Sequence, residues 1–298
     1  MKILVTGASG FIGWPVVQSL HRDGHKVLAL SRKMPEEARS IDIKWIDADL
    51  AKIEEYREPI KAFAPDVVIH LAWQDIPDFS LETSRKNLNQ SLDFFSFILE
   101  LRCCKKILVS GSDKELNFPK GVCPESEKGM PSNGFSWSKH AIRSWLELAC
   151  AKDSISLGWL RIFFCYGPRQ RSLSLLPSLL KHLPLNKLPE IRTPKNANDY
   201  VFVEDVANAF SKAVSCDFPS GIFNIGSGSA TTVLEVCRLA EEVVRGSDKL
   251  TNKLQAESKD SESFINFWAD LSCSKKYLGW EPNTSLIEGI QRTWDWIR

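Results

Sequence analysis

Three glycines near the amino terminus offer the first chemistry. They punctuate the run Gly7-Ala8-Ser9-Gly10-Phe11-Ile12-Gly13, directly after the short apolar stretch Lys2–Thr6. Each is needed for its own reason. Gly7 permits a tight turn, Gly10 lets backbone N–H groups approach an anion, and Gly13 lets the next segment pack closely as a helix. A pyrophosphate then lies on the positive end of that helix, with Phe11 and Ile12 inside the binding turn. A glycine triplet alone is a weak signal. Here it stands between a strand-like run and a helix-spaced one, Phe11–Asp23, which stops at Gly24; that is the context the mechanism requires.

The second signal lies one strand later. A carboxylate at the end of that strand, about 20 residues past the glycines, normally holds the 2′-hydroxyl of an adenosine ribose. Here Lys26–Leu30 runs into Ser31-Arg32-Lys33, with no acid and with a guanidinium where a 2′-phosphate would need one. NADP(H) is the expected cofactor; solvation of the strand end is the competing reading. Trp73 and Gln74 follow another apolar run and are expected at the substrate, with core packing the alternative for Trp73. Arg169, Arg171 and Arg192 are candidate phosphate forks, against a plain surface role.

These residues meet only if the chain sets them along one edge of a sheet. Lys2–Thr6, Lys26–Leu30, Lys44–Ile46, Asp66–Leu71 and Lys106–Val109 read as strands, and Ser84–Leu101 as a long helix with Leu88, Leu92, Phe95 and Leu99 on one face. Strands alternating with helices predict an α/β fold with a Rossmann doubly wound parallel sheet, whose carboxyl ends bind ligands. After about residue 164 the rhythm changes. Leu173–Leu183 reads as a helix, Val201–Val203 and Gly221–Gly226 as strands, Val233–Val244 and Leu286–Ile297 as helices, and 246–263 as an exposed loop. The expected division is a dinucleotide-binding domain over 1–164 and a smaller mixed α/β substrate lobe over 165–298, with segments near 199–226 returning to the first.

A net charge of +1 excludes a broad basic surface for nucleic acid. No window approaches the ~18 apolar residues that span a membrane. The start MKILVTGASG is too poor in apolar residues for a secretory leader, so a cytoplasmic protein is expected. Eight cysteines show neither C-x-x-C nor zinc spacing, which predicts free thiols and no metal.

Several short runs recur in a telling order. They are Thr6–Gly13, Asp49-Leu50, His70-Leu71-Ala72, Asn87, Phe135-Ser136-Trp137-Ser138-Lys139, Tyr166-Gly167-Pro168, Val203–Val206, Phe223–Gly226 and Leu278–Pro282. Together they resemble the extended short-chain dehydrogenase/reductase family, in its nucleotide-sugar epimerase, dehydratase and reductase branch, over nearly the whole chain. The resemblance implies cofactor contacts from Asp49, Leu50, Leu71, Ala72, Trp73, Asn87 and Lys139, and a structural part for His70. It also implies a catalytic set of Ser112, a tyrosine and Lys139. The lysine, four residues on, shares the tyrosine's helix face. At the tyrosine's place stands Phe135, which keeps the ring and loses the proton donor; positioned acid–base catalysis of that kind contributes ~10²–10⁴-fold. Three readings follow: an engineered Tyr→Phe variant, an enzyme whose proton comes from water or Ser112, or a binding protein that no longer turns over.

The resemblance also bears on the reaction. Dehydratases of this type carry Asp-Glu after the catalytic hydroxyl, whereas Ser112 is followed by Asp113 and Lys114. With the elimination base absent and an NADP site expected, the leading function is an NADPH-dependent ketoreductase of a nucleotide-activated 4-keto-6-deoxysugar. A regulatory NADP(H)-binding protein or a nucleotide-sugar epimerase are the alternatives. Positions where the family grips a diphosphate read Phe164, Asn198 and about Lys259 or Asp260. Substrate contacts are therefore expected from Trp73, Gln74, Asp113, Phe164, Arg169, Arg171 and Arg192. Ser84–Leu101 together with Trp137, Ile142 and Trp145 resembles the family's dimerisation helices, which predicts a homodimer.

Overall fold

A computed structural model describes residues 1–117, 119–257 and 265–298. In chain order the elements are β1 (Lys2–Thr6), α1 (Gly13–Arg22), β2 (Lys26–Ser31), β3 (Lys44–Asp47), α2 (Ile53–Phe63), β4 (Val67–His70), α3 (Leu81–Glu100), β5 (Lys106–Ser112), β6 (Gly121–Cys123), α4 (Gly134–Asp153), β7 (Ser156–Ile162), β8 (Phe164–Tyr166) and α5 (Leu175–His182). They continue as β9 (Ala197–Asn198), β10 (Tyr200–Phe202), α6 (Val203–Ser215), β11 (Gly221–Ile225), β12 (Thr231–Thr232), α7 (Val233–Arg245), α8 (Lys249–Glu257), β13 (Phe267–Ala269), α9 (Ser272–Leu278) and α10 (Leu286–Ile297).

Seven strands form one parallel sheet in the order β11-β7-β5-β4-β1-β2-β3. The order reverses between β1 and β4, so a crevice opens at their carboxyl ends, where Thr6 pairs with His70. Strands covered on both faces must be apolar throughout. Ile3, Leu4 and Val5 are accordingly all fully buried. One face is covered by α1 and α6, which pack on each other, the opposite face by α3 and α4.

The smaller lobe has its own core, in which α5, α7 and α10 enclose Leu179, Leu180, Val236 and Ile290. Buried carboxylates tie the lobe to the sheet through backbone amides. Glu125 accepts from the N–H groups of Asn224 (2.9 Å), Cys273 (2.6 Å) and Ser274 (3.1 Å). Asp199 accepts from Gly228 and Ala269, both at 3.0 Å, and from Ser227. Its burial raises the carboxyl pKa against the pull of those donors.

Two expectations about elements change. The strand expected at Val201–Val203 is β10, and Val203 instead opens α6. The stretch expected as an exposed loop over 246–263 contains α8, and 258–264 lies outside the described residues. A fully buried carboxylate explains the helix: Glu241 of α7 accepts from Leu250 N (3.1 Å), Thr251 N (2.9 Å) and the Thr251 hydroxyl (2.9 Å). Those bonds satisfy amides that a helix start leaves unpaired. Among the described residues no helix is long and apolar enough to cross a membrane. All eight cysteines are free, and no cluster of three or more metal-binding side chains occurs among the described residues.

Candidate active site

The glycine turn is shaped by close backbone approach. Gly7 adopts φ +66°, and a Cβ there would lie 2.7 Å from Ala72 N. A Cβ on Gly13 would lie 2.0 Å from Gly7 O. The N-cap of α1 is Ile12, without a side-chain cap, and its first turn carries no acid. The helix start therefore keeps its amides and its positive field free of the chain's own carboxylates, which fits a pyrophosphate.

At the end of β2 the Ser31 hydroxyl donates to Lys33 O at 2.9 Å, closing the turn on itself. Arg32 and Lys33 are exposed, and neither side chain makes a hydrogen bond or ion pair among the described residues. Arg169 lies elsewhere than expected. Its guanidinium donates to Glu37 Oε1 (3.0 Å) and to Ser9 O (3.4 Å), so it spans the glycine turn and the segment after β2. That ties the guanidinium to the backbone of the glycine turn.

Gln74 also departs from its expected place. Its carboxamide donates to Asp49 Oδ1 (3.4 Å) and Gln90 Oε1 (3.2 Å). Asn87 holds this loop from both sides, accepting from Gln74 N (2.7 Å) and donating to Gln74 O (3.3 Å) and Thr83 O (2.9 Å). Its carboxamide is thus occupied by the loop. Leu50 is buried, and its carbonyl accepts from the Tyr56 hydroxyl at 3.1 Å.

A cleft of about 540 Å³ opens between the sheet edge and the lobe, with Ile12, Leu71, Trp73, Ser112, Asp113 and Lys139 along its sheet side. Asn133 caps α4 by accepting from Ser136 N at 2.9 Å, and this starts the helix so that Phe135 and Lys139, one turn apart, share a face. Phe135 is 5% exposed and packs edge-on against Trp73, ring centroids 5.0 Å apart. Lys139 Nζ donates to Ser110 O at 2.8 Å and lies 4.4 Å from the Trp73 ring centroid. Burial depresses its pKa to about 8, with Glu115 pulling the other way.

Ser112 is held from three directions. Its N–H donates to Glu115 Oε1 (2.8 Å), its oxygen accepts from Lys114 N (3.2 Å), and its hydroxyl donates to Asp113 Oδ1 (3.1 Å). Glu115 is fully buried and also accepts from Trp159 Nε1 (3.0 Å) and Arg143 Nη1 (3.0 Å). This brace ties the end of β5 to α4, and nothing in the chain's local patterning announced it. The one available clue was Arg143, which stands a helical turn beyond Lys139. A Cβ on Gly111 would lie 2.3 Å from Trp159 Nε1, so the brace also requires glycine there.

The far wall combines Phe164, Cys165, Gln170, Arg171 and Tyr200. Phe164 packs tilted against Tyr200 (ring centroids 5.5 Å) and lies under Lys114 Nζ (5.0 Å). Of these, only Phe164 and Arg171 were anticipated as site residues. Arg192 is not in the cleft: it is 81% exposed and paired with Glu190 at 3.0 Å. Asn198 is buried and donates to the Tyr200 hydroxyl at 3.5 Å, while Lys259 and Asp260 lie outside the described residues. His70 sits below the crevice between Thr6 Oγ1 (2.9 Å) and Ser91 Oγ (3.2 Å). Burial pushes its pKa down to about 3, so it stays neutral.

The family model described as "NAD dependent epimerase/dehydratase family" matches residues 3–226. A UDP-glucose 4-epimerase of Neisseria meningitidis serogroup C is 27% identical over 99% of this chain and 97% of its own. Among solved structures, the UDP-glucose 4-epimerase of Thermotoga maritima with UDP-glucose superposes with TM-score 0.82 at 24% identity, over 100% of this chain and 99% of that one. MoeE5 in complex with UDP-glucuronic acid and NAD superposes with TM-score 0.81 at 25% identity, with the same coverage.

Proposed function

Because the chain belongs to the NAD-dependent epimerase/dehydratase family, we propose that it is an NADPH-dependent ketoreductase acting on a nucleotide-activated 4-keto-6-deoxysugar. The observation that carries this reading is the end of β2, where no carboxylate stands and two exposed cations, Arg32 and Lys33, have no partner among the described residues. A 2′-phosphate supplies the missing partner, and an enzyme that holds NADP(H) suits net reduction. Lys114 stands where an elimination base would be needed, which argues against dehydration.

When bound, the dihydronicotinamide supplies hydride. The chain's own residues do the rest. The α1 amides and Gly7 cradle the pyrophosphate, Lys139 orients the nicotinamide ribose, and Trp73 and Phe135 exclude water around the reacting carbon. Ser112 presents a hydroxyl to the substrate oxygen, and Arg171 offers a fork to a diphosphate.

The test is NADPH consumption with a panel of CDP-, GDP-, UDP- and dTDP-linked 4-keto-6-deoxysugars, using the chain and its Phe135→Tyr variant. Tighter binding of NADH than NADPH, or no turnover by either protein, overturns the reading. A second reading, nucleotide-sugar 4-epimerase, is favoured by the activities that the similar proteins bear in their names. It predicts interconversion of UDP-sugars without net cofactor consumption. Exposed Leu81 on α3, with Trp137 and Leu148 on the adjoining α4, supports a homodimer through these helices; monomer alone in sedimentation at micromolar concentration removes it.

A further inference from the structure

We propose that Ser112 and Asp113 act as a dyad that carries the proton Phe135 cannot supply, a step that rests on the ketoreductase reading above. The other ionisable groups of the cleft are committed or unsuited. The Lys139 ammonium is held by Ser110 O and the Trp73 face, and the Lys114 ammonium lies over Phe164. Arg171 presents a guanidinium, a fork of donors suited to holding an anion. Tyr166 donates to Leu286 O at 3.3 Å and is turned away. Burial pushes the Tyr200 hydroxyl up to about 12 and the Cys165 thiol higher still.

Asp113 differs from all of these. It is 6% exposed and lines the cleft, and its Oδ2 is buried with no hydrogen-bond partner among the described residues, Lys114 Nζ lying at 4.0 Å. A buried carboxylate oxygen without a donor is costly and asks for a role. Its Oδ1 already takes the Ser112 hydroxyl at 3.1 Å. Because the Ser112 oxygen accepts the Lys114 N–H at 3.2 Å, the hydroxyl proton is directed at the carboxylate rather than at the backbone. Rotation about one side-chain bond transfers that donor to a substrate oxygen in the cleft. Lys139 is anchored on Ser110, two residues before Ser112, so the dyad stands beside the nicotinamide-binding lysine.

The step balances. The carbonyl carbon of the sugar takes a hydride from the dihydronicotinamide of NADPH, and the C=O π pair becomes a lone pair on oxygen. That oxygen takes the Ser112 proton, and the Ser112 oxygen takes one in turn from a solvent water oriented at the open Oδ2 of the Asp113 carboxylate, which stays ionised while the hydroxide left behind is neutralised by solvent. The cofactor leaves as NADP⁺.

The test compares Asp113→Asn, Phe135→Tyr and their double variant with the parent chain, in NADPH-dependent reduction and in NADPH affinity. Asp113→Asn is expected to lower kcat by ~10²-fold or more with cofactor Kd unchanged, and adding Phe135→Tyr is expected to restore most of the rate. A purely structural aspartate would not be rescued by a distant phenol. Infrared difference spectra supply a readout without turnover: the carboxylate band lost in Asp113→Asn should shift in Ser112→Ala. Turnover by Phe135→Tyr but not by the parent overturns the dyad and leaves the ketoreductase reading standing. An Asp113→Asn rate within ~3-fold of the parent does the same. If neither parent nor Phe135→Tyr reduces any sugar, the substrate reading fails, and the infrared band then decides the dyad: an unmoved band in Ser112→Ala overturns it.

Discussion

Replacing Lys139 with methionine should stabilise the fold at neutral pH, and the size of the gain can be worked out. The ammonium is 4% exposed, with one hydrogen bond to Ser110 O and the Trp73 face as its other neighbour. Its folded pKa of about 8 lies below the ordinary 10.5. At about 1.4 kcal/mol per pH unit, that gap is a cost of about 3 kcal/mol for keeping the charged form buried. Between the two values the unfolded chain binds more protons than the folded one, so stability rises with pH across that window. Below pH 8 both states are charged and the whole cost is present; above 10.5 neither is. Methionine fills a similar volume and removes the cost, while losing a hydrogen bond worth about 1 kcal/mol. The variant should therefore be about 2 kcal/mol more stable at pH 7, with the advantage shrinking steadily toward pH 10. Urea unfolding of both proteins at pH 7, 8.5 and 10 measures this, and the titrating cysteines and tyrosines common to both cancel in the difference. A difference that stays constant across that range would refute the reasoning. On the proposed function, in which Lys139 orients the nicotinamide ribose, the same variant should bind NADPH at least ~10-fold more weakly.

Three further outcomes follow from the groove. Arg32→Ala should weaken NADPH binding by ~10–100-fold, the worth of a charge-assisted bond, and leave NADH affinity and stability unchanged; calorimetric titration with both cofactors checks it, and equal losses for the two would refute a 2′-phosphate contact. Gly13→Ala sets a Cβ 2.0 Å from Gly7 O, a backbone atom that cannot swing aside, so cofactor binding should fall beyond ~10-fold with a lowered Tm, as read by thermal melting with and without NADPH. The Arg169–Glu37 pair is partly exposed, so Arg169→Ala should shift stability by no more than about 0.5 kcal/mol. It should speed NADPH release several-fold in stopped-flow fluorescence, and an unchanged release rate would return Arg169 to a surface role.

The strands that the sequence discloses are those made of uninterrupted apolar residues. Ile3–Val5 and Val67–Ile69 read as buried parallel strands because nothing in them competes with that reading. β7 does not disclose itself. Its run Ser156-Leu157-Gly158-Trp159-Leu160-Arg161-Ile162 carries a glycine and an arginine, yet it lies between β5 and β11. Arg161 is fully buried there, donating to Glu127 O (2.6 Å) and Asn224 Oδ1 (3.4 Å). Gly158 admits Leu108 and Phe218, whose atoms would lie 2.7 and 3.1 Å from a Cβ. Both residues answer to partners 34 to 63 positions away, and a local pattern holds no record of such partners. α8 was hidden for the same reason, since its polar sequence is recruited by the buried Glu241.

The site divides along the same line. Backbone-driven features, such as the glycine turn and the one-turn spacing of Phe135 and Lys139, follow from rules that act within a few residues. Side chains whose job depends on reach do not. Arg169, Gln74 and Arg192 are chemically able to hold a phosphate, and their sequence neighbours gave no means of sorting them. Distance sorts them: among the described residues Arg169 meets Ser9 and Glu37, Gln74 meets Asp49 and Gln90, and Arg192 meets only its neighbour Glu190. The Glu115 brace shows how much such reach matters for chemistry. Without its carboxylate, Ser112 N–H and Trp159 Nε1 would lose their acceptor and Arg143 its buried ion-pair partner, a loss of about 3–5 kcal/mol for the ion pair alone. The Ser112 hydroxyl is therefore positioned from beneath by buried charges, and a substitution there should disturb Ser112 before it disturbs the glycine turn.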